Sequence, residues 1–570
     1  MHTQIKKPSP CVWGFLCIAI CYLVISDEFL TTHEAYANHG EPSVCLSSLG
    51  AIGDGKTDDT RAIQRALDRG GKVVGQPGKV YLVYRSLMNL KTALLVRSNT
   101  MIDLNGSTLK LANAQNCSLI ATEHFLDKMA RTEGISIQNG VIDGNSTNQS
   151  GDVTSTLGFL PTFYFTNSDR TRITNITIKN AYMYGVYASG NDGFVEGLKI
   201  TDALGGGIHV DGQRWWFDRI FVHNVKYFED INTQGNPFIV NITDSQIGRI
   251  YCENYGFGVK FQDGCQNVQV DSITAVGGIN NWSKGDFLVK IQGKKEKRNR
   301  NIKVNRIISR EGGKAGLYII YSDDVSIGDY IGNNNGKSCS TDFKNCADVL
   351  IIDSSGIKFH SLNSQNGQYA GLWLHDNSGN VRIENLSIDT ENAKYLHPVI
   401  HTAGILTVDN LLIIANNWSR QIIYSQTIPE VPEKAGSIIV NHLFADIAMN
   451  AFYGDKIPLF TASSMIINNL SFNTYPFSGF VRLDNNATST YVDNRSVFRD
   501  GLKSGAEMSV TPVAASSLDF TKLSATPRDF RSGGGFDIHH PLVPPTGEVV
   551  VFYEMKRYVA PYPNNSETEK

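Results

Sequence analysis

Between Tyr184 and Gln292 one short phrase recurs five times: a lead residue, then an apolar, an outward, an apolar or small, and a second outward position. The phrases are Gly185-Val186-Tyr187-Ala188-Ser189, Gly207-Ile208-His209-Val210-Asp211, Asp230-Ile231-Asn232-Thr233-Gln234, Gly258-Val259-Lys260-Phe261-Gln262 and Leu288-Val289-Lys290-Ile291-Gln292. Strict alternation predicts strands, whose side chains point to opposite faces in turn. One face then carries Val186/Ala188, Ile208/Val210, Ile231/Thr233, Val259/Phe261 and Val289/Ile291 into a core. The other carries Tyr187/Ser189, His209/Asp211, Asn232/Gln234, Lys260/Gln262 and Lys290/Gln292 outward. Stacked as rungs, the outward set forms a ladder of imidazole, carboxylate, ammonium, amide and phenol groups.

The pattern continues along the chain. Strand starts at Ile173, Val195, Phe217, Ile247, Val268, Ile302, Val325, Ile357, Val381, Ile405, Ile438 and Met465 give a base period of 22–24 residues broken by longer steps. Such a period predicts a solenoid of stacked coils. The long steps after Phe217, Val268, Val325 and Ile405 map to protruding loops, which often flank binding sites. Further phrases at Gly316–Ile320, Val349–Asp353 and Gly371–His375 would add Tyr318, Trp373 and His375 to the outward column. After about Val497 the period fades. Residues 44–497 therefore read as the solenoid, and 498–570 as an irregular C-terminal extension with one late strand at Val549–Tyr553.

The entry to the solenoid is distinct. Gly53-Asp54-Gly55-Lys56-Thr57-Asp58-Asp59-Thr60 is rich in turn residues, with Thr57 or Asp58 placed to cap a helix over Thr60–Arg69. Ala62, Ile63, Ala66 and Leu67 form its apolar stripe, and Gly70-Gly71 ends it. Strand-like runs follow at 72–74, 80–83 and 93–96. This opening, together with Ile102-Asp103-Leu104-Asn105-Gly106, resembles the pectate-lyase-like superfamily, which includes the polygalacturonase/rhamnogalacturonase family and the epimerase-like pectate lyase domain. The resemblance implies an all-β, right-handed, single-stranded parallel β-helix with an N-terminal capping helix. It specifies the fold more sharply than the chemistry.

Composition narrows the class. The chain has 570 residues, a net charge of -3, 41% apolar and 19% charged residues. Near-neutral charge gives no reason to expect nucleic acid, and the apolar content argues against disorder. Lys6 and Lys7 precede an apolar run from Cys11 to Ser26, and Ala35-Tyr36-Ala37 offers a cleavage site, so residues 1–37 read as an export signal or an uncleaved anchor. No other stretch is apolar enough to span a membrane, and a secreted or periplasmic location is expected. Six cysteines lie beyond the signal; Cys339–Cys346 and Cys252–Cys265 are the local pairings an exported chain would favour, and buried, unpaired thiols in the interior stacks are the alternative. The basic run Lys294–Arg300 reads as a solvated loop or as a steering patch beside an acidic polymer. The sequons at Asn175, Asn241 and Asn385 read as turn residues of a β-helix.

An extended polysaccharide groove admits three chemistries. Hydrolysis needs two carboxylates across the scissile bond. Asp211, Glu229, Asp230 and Asp263 are the candidates, with Asp211 and Asp230 matching carboxylate positions of polygalacturonases. The histidine and arginine expected by that resemblance are missing at Tyr255-Gly256-Phe257-Gly258 and Val289-Lys290-Ile291. Lysis or C5-epimerisation of a uronate needs a base and cations that neutralise the sugar carboxylate. His209 or Lys260 would take the proton, Lys290 would pair with the carboxylate, and Tyr187 or Tyr255 would return a proton. The catalytic set is thus His209, Asp211, Asp230, Lys260 and Lys290. Tyr187, Glu229, Asn232, Gln262, Asp263, Tyr318, Trp373 and His375 form the binding set. A polysaccharide is the expected partner, and no cofactor is required. Ca2+ held by the carboxylates is the one metal considered, without a clear ligand spacing. The third option is polysaccharide binding or assembly without turnover.

Overall fold

In a computed structural model the chain winds as a parallel β-helix. The structure describes residues 43–389 apart from 88–90, 128, 150–159, 227–234, 278–286, 337–345, 368–369 and 376–377; beyond 389 it describes mainly strand segments between 400 and 559. Each coil lays down three strands in chain order, so three walls rise along the axis. The first wall includes Tyr184–Asn191, Gly206–Gln213, the start of Asn236–Tyr255, Val259–Gln262, Phe287–Gln292, Ala315–Ile320, Ala347–Ile352 and Ala370–Leu374. The second includes Phe194–Glu196 and Trp216–Asp218, and the third Lys199–Thr201 and Ile220–Val225. All pairings between successive coils of these walls are parallel.

Inward residues of successive rungs stack into one core. Val186, Ile208, Phe238, Val259, Val289 and Leu317 are buried in it. The corners need a left-handed backbone, which Asn and Asp tolerate better than most residues because their short side chains bond locally. Asn267 and Asn301 sit at φ 54° and 50° on successive coils. Their side chains are joined by a 2.8 Å hydrogen bond, so the corner is itself a ladder. Asn175 is such a corner residue (φ 52°). Asn241, by contrast, lies on the first wall beside Asp211.

The helix α1 (Thr60–Arg69) closes the N-terminal end, burying Ala62, Ile63, Ala66 and Leu67. Its N-cap position is Asp59 rather than Thr57 or Asp58. Asp59 turns back to accept the N–H groups of Ile52 and Gly53 at 2.7 and 3.0 Å. Asp58 accepts the Thr60 amide at 2.9 Å, supplying the acceptor the first turn requires.

Register corrects three expectations. The rung after Gly206–Gln213 is not 230–234, which lies outside the described residues; His209 pairs with Ile239 and Asp211 with Asn241. Phe238 and Val240 supply the inward positions there. On the second wall, Ile247 pairs with Val270 rather than Val268, and Val381 with Leu406 rather than Ile405. In each case the neighbouring apolar residue fits the inward column; Ile405 is exposed and Leu406 fully buried.

The expected Cys252–Cys265 bridge does not form. Both are free thiols, and burial drives their pKa values up, to about 12 for Cys265. Cys252 stacks between Val222 and Ala275 on the third wall, whereas Cys265 bonds to the Val240 carbonyl beneath the first. Cys346 is disulfide-bonded, and Cys339 lies outside the described residues. Parallel pairing continues to Ser464–Phe472. The last strand, Val550–Val559, pairs antiparallel with Ser478–Arg482 and Glu507–Pro512.

Candidate functional site

The outward positions of the first wall form one continuous column. Pairing runs from Tyr164 to Tyr187, His209, Ile239, Lys260, Lys290, Tyr318, Leu350 and Trp373. Neighbouring strands lie about 4.8 Å apart, so Tyr187 to Trp373 spans about 34 Å. A second file, two residues on, holds Ser189, Asp211 and Asn241, then Gln262 beside Gln292.

The column is not uniform, and its first group is aromatic and acidic. Tyr187 meets His209 edge to face, with ring centroids 4.8 Å apart. Tyr164 meets Tyr187 in the same way at 5.7 Å. Tyr184, almost buried, lies 5.9 Å from His209. The His209 Nε2 is 3.6 Å from Asp211 Oδ2. Burial first, then Asp211 and Tyr164, push the Tyr187 phenol up to about 12. It is therefore a protonated donor throughout the neutral range.

Ile239 interrupts the column. It is buried against Leu160, Met183 and Tyr184 in an apolar cluster separate from the main core. This residue lay outside every repeated phrase, and the sequence carries no cue that an outward rung position would be aliphatic and covered.

The second group is cationic. Lys260 and Lys290 are direct rung neighbours. Lys290 is only 7% exposed, with its Nζ 5.1 Å from the ring centres of both Phe257 and Phe287. Phe287 stacks on Tyr318 at 4.3 Å. Burial lowers the pKa of Lys260; Lys294 adds to the effect and Asp263 opposes it. Asp263 accepts a 2.8 Å hydrogen bond from Lys294, which takes that member of the basic loop out of any free steering patch. Arg298 is likewise held, by both oxygens of Asp323 at 2.6 Å.

Beyond Tyr318 the column meets Leu350, fully buried, before Trp373. His375 follows the end of the strand two residues after Trp373, the spacing of the second file; its N–H donates to the Ile351 carbonyl at 2.8 Å and its ring stacks with Trp373 at 6.4 Å. Tyr255 is inside the core with its hydroxyl 3.5 Å from the Leu288 carbonyl, so it is removed as a proton donor to substrate. Glu229, Asp230 and Asn232 lie outside the described residues. The rung neighbours of Asp211 are Ser189 and Asn241, neither of them a carboxylate. Among the described residues no group of three or more His, Cys, Asp or Glu side chains could hold a metal. Tyr164 and Tyr184 were missed; the alternating run Phe163-Tyr164-Phe165, one period before Val186, was the available signal for the first.

Chemically, this surface places an imidazole–carboxylate pair about 10 Å, two rungs, from the nearer of a pair of lysines, with a protonated phenol one rung further away. A sugar ring plus a lysine side chain spans that distance.

Residues 44–247 match the family model described as rhamnogalacturonase A/epimerase, pectate lyase-like. The plasmin and fibronectin-binding protein A of Streptococcus pneumoniae is 26% identical over 252 residues, 42% of this chain and 33% of its own length. Alginate lyase 7 of Azotobacter vinelandii is 27% identical over 199 residues, 30% of this chain and 23% of its own. Mannuronan C5-epimerase AlgE2 of the same organism is 24% identical over 258 residues, 40% and 25% respectively. The chain thus spans a third or less of the curated relatives it matches.

Proposed function

Residues 44–247 place the chain's N-terminal coils in the pectate-lyase-like superfamily, and from that premise we propose a carbohydrate-active β-helix protein, a polysaccharide lyase or C5-epimerase acting on a uronate-containing polymer. The observation that carries this reading is the shared column of Tyr187, His209, Lys260 and Lys290. A lyase and an epimerase appear among the relatives, which supports the same class.

The C5 proton of a uronate is acidified when its carboxylate is neutralised. Lys260 and Lys290 supply that positive charge, and the enolate-like transition state gains more from it than the ground state does. His209, beside Asp211, accepts the proton. Tyr187 delivers a proton, either to the departing O4, which completes β-elimination, or to C5 from the opposite face, which completes epimerisation. In the first case the C4–O bond breaks with the C5–H electron pair and leaves a C4=C5 double bond. In the second the C5–H bond re-forms with inverted configuration. A lowered Lys260 pKa makes this amine an alternative base. Export, with the N-terminal segment as its signal, belongs to the same proposal.

Incubation with pectin, alginate and related polymers tests it. Rising ultraviolet absorbance from unsaturated uronate, or a changed uronate stereochemistry by NMR, is the expected result. New reducing ends without absorbance would replace it with hydrolysis. Binding with no chemical change would replace it with a binding role, the reading that the pneumococcal relative favours by its name.

A further inference from the structure

We propose that Tyr184 is a positioning residue that holds the His209 imidazole against Asp211. The inference rests on the reading of His209 as the proton-transferring group. Tyr184 opens its strand, and its rung partner is Gly206. A Cβ at Gly206 would run into the Tyr184 ring, and one at Gly207 would run into the Pro237 carbonyl. Of the two, only Gly206 faces the tyrosine, while the Gly207 position turns toward core residue Val222; the missing side chain at Gly206 therefore lets the tyrosine ring lie across the next rung. Beyond that rung it packs with Ile239, and on its own side with Met183 and Leu160. The ring is only 8% exposed, so this brace is dry and rigid.

The tyrosine ring stands on one flank of His209, its centroid 5.9 Å from that of the imidazole. Tyr187 contacts the imidazole at 4.8 Å. Asp211 Oδ2 lies 3.6 Å from Nε2. The imidazole is fenced by two aromatic rings and a carboxylate. Without Tyr184 it can swing about χ2 into the vacated space and leave Asp211. The apolar residue at Ile239 then has a purpose between His209 and Lys260: it is the backstop of the tyrosine that holds the histidine.

The test compares Tyr184→Leu with Tyr184→Phe in the full chain, reading both turnover and, by NMR, the NOEs from the His209 ring to Tyr187 and Asp211. Tyr184→Leu keeps apolar bulk and removes the ring. It is expected to lower kcat at least ~10-fold with KM little changed. The NOEs from the His209 ring to the Tyr187 ring and to the Asp211 β-protons should weaken at least ~2-fold, because an imidazole that swings about χ2 leaves both neighbours. Tyr184→Phe should restore both. Ile239→Val, which trims one methyl behind the ring, should show the same signs with smaller amplitude and tests the brace if Tyr184→Leu does not fold. Unchanged His209 ring NOEs in Tyr184→Leu, or in Ile239→Val if that is the folded variant, overturn the inference. If His209→Ala keeps full activity, the functional reading fails instead, while the His209 ring NOEs in the Tyr184 variants still report whether Tyr184 orients the ring.

Discussion

At the scale of single residues, the first wall separates groups that must differ in protonation. Tyr187, pushed up to about 12 by burial and by Asp211, stays a phenol well past neutrality. Lys260 moves the other way, because burial penalises its charged form. Lys260→Ala and Asp211→Asn should each reduce turnover at least ~100-fold on a responsive polymer; near-normal rates in both would remove this column as the active site. Tyr187→Phe should cut kcat without moving the alkaline limb of the pH profile up to about pH 10, since its proton is not lost in that range. A limb that disappears in the variant would show that Tyr187, and not another group, was titrating there.

Elements impose a different constraint, seen where a polar group is enclosed between walls. Asp348, at the start of Ala347–Ile352, is buried and accepts from the Tyr330 hydroxyl and the Asn335 amide, both at 2.6 Å. Ser309 bonds to the same hydroxyl at 2.7 Å. Burial raises the pKa of Asp348 despite these donors. The folded state therefore holds its proton more tightly than the unfolded chain, whose carboxyl titrates near ~3.9. The stability that follows is fully present below that unfolded value and is lost as pH rises through the folded one. Asp348→Asn keeps the acceptor and abolishes the titration. Its melting temperature relative to the parent should climb as pH rises from 4 to 8, and a difference that stays flat by calorimetry would show that Asp348 does not behave this way. Asp348→Ala instead strands two donors and should cost about 1–3 kcal/mol at any pH.

For the molecule as a whole, each coil leans on its neighbours, so damage at one level propagates along the site. Phe261 is fully buried between Val240 and Ile291, directly behind the rung that carries Lys260. Phe261→Ala should destabilise by about 3–5 kcal/mol in chemical denaturation. A loss under about 1 kcal/mol would mean that the stacked core is looser than its burial indicates. The free thiols give an independent check of the winding. Cys252 and Cys265 face different parts of the interior, and both should resist alkylation in the native protein and label fully once it is unfolded.

How much of this was legible beforehand divides cleanly by range. Alternation within a strand, the 22–24 residue period and the glycine stop after Arg69 are local properties. They suffice to determine strands, a solenoid, the helix Thr60–Arg69 and the outward direction of Tyr187, His209, Lys260 and Lys290. What the sequence could not decide is which residue faces which across a coil of variable length. The loop after Val225 concealed that His209 pairs with Ile239, not with a residue of 230–234, because 230–234 keeps the alternation while Phe238-Ile239-Val240 is apolar throughout and breaks it. The same uncertainty placed Tyr255 outside when it is inside, and proposed a bridge between two cysteines that the walls keep apart. Alternation has a period of two, so it fixes the face of a side chain but not its height on the stack. Height is settled only when the accumulated apolar columns close against one another, and it is height that brings Tyr184 across Gly206 to His209.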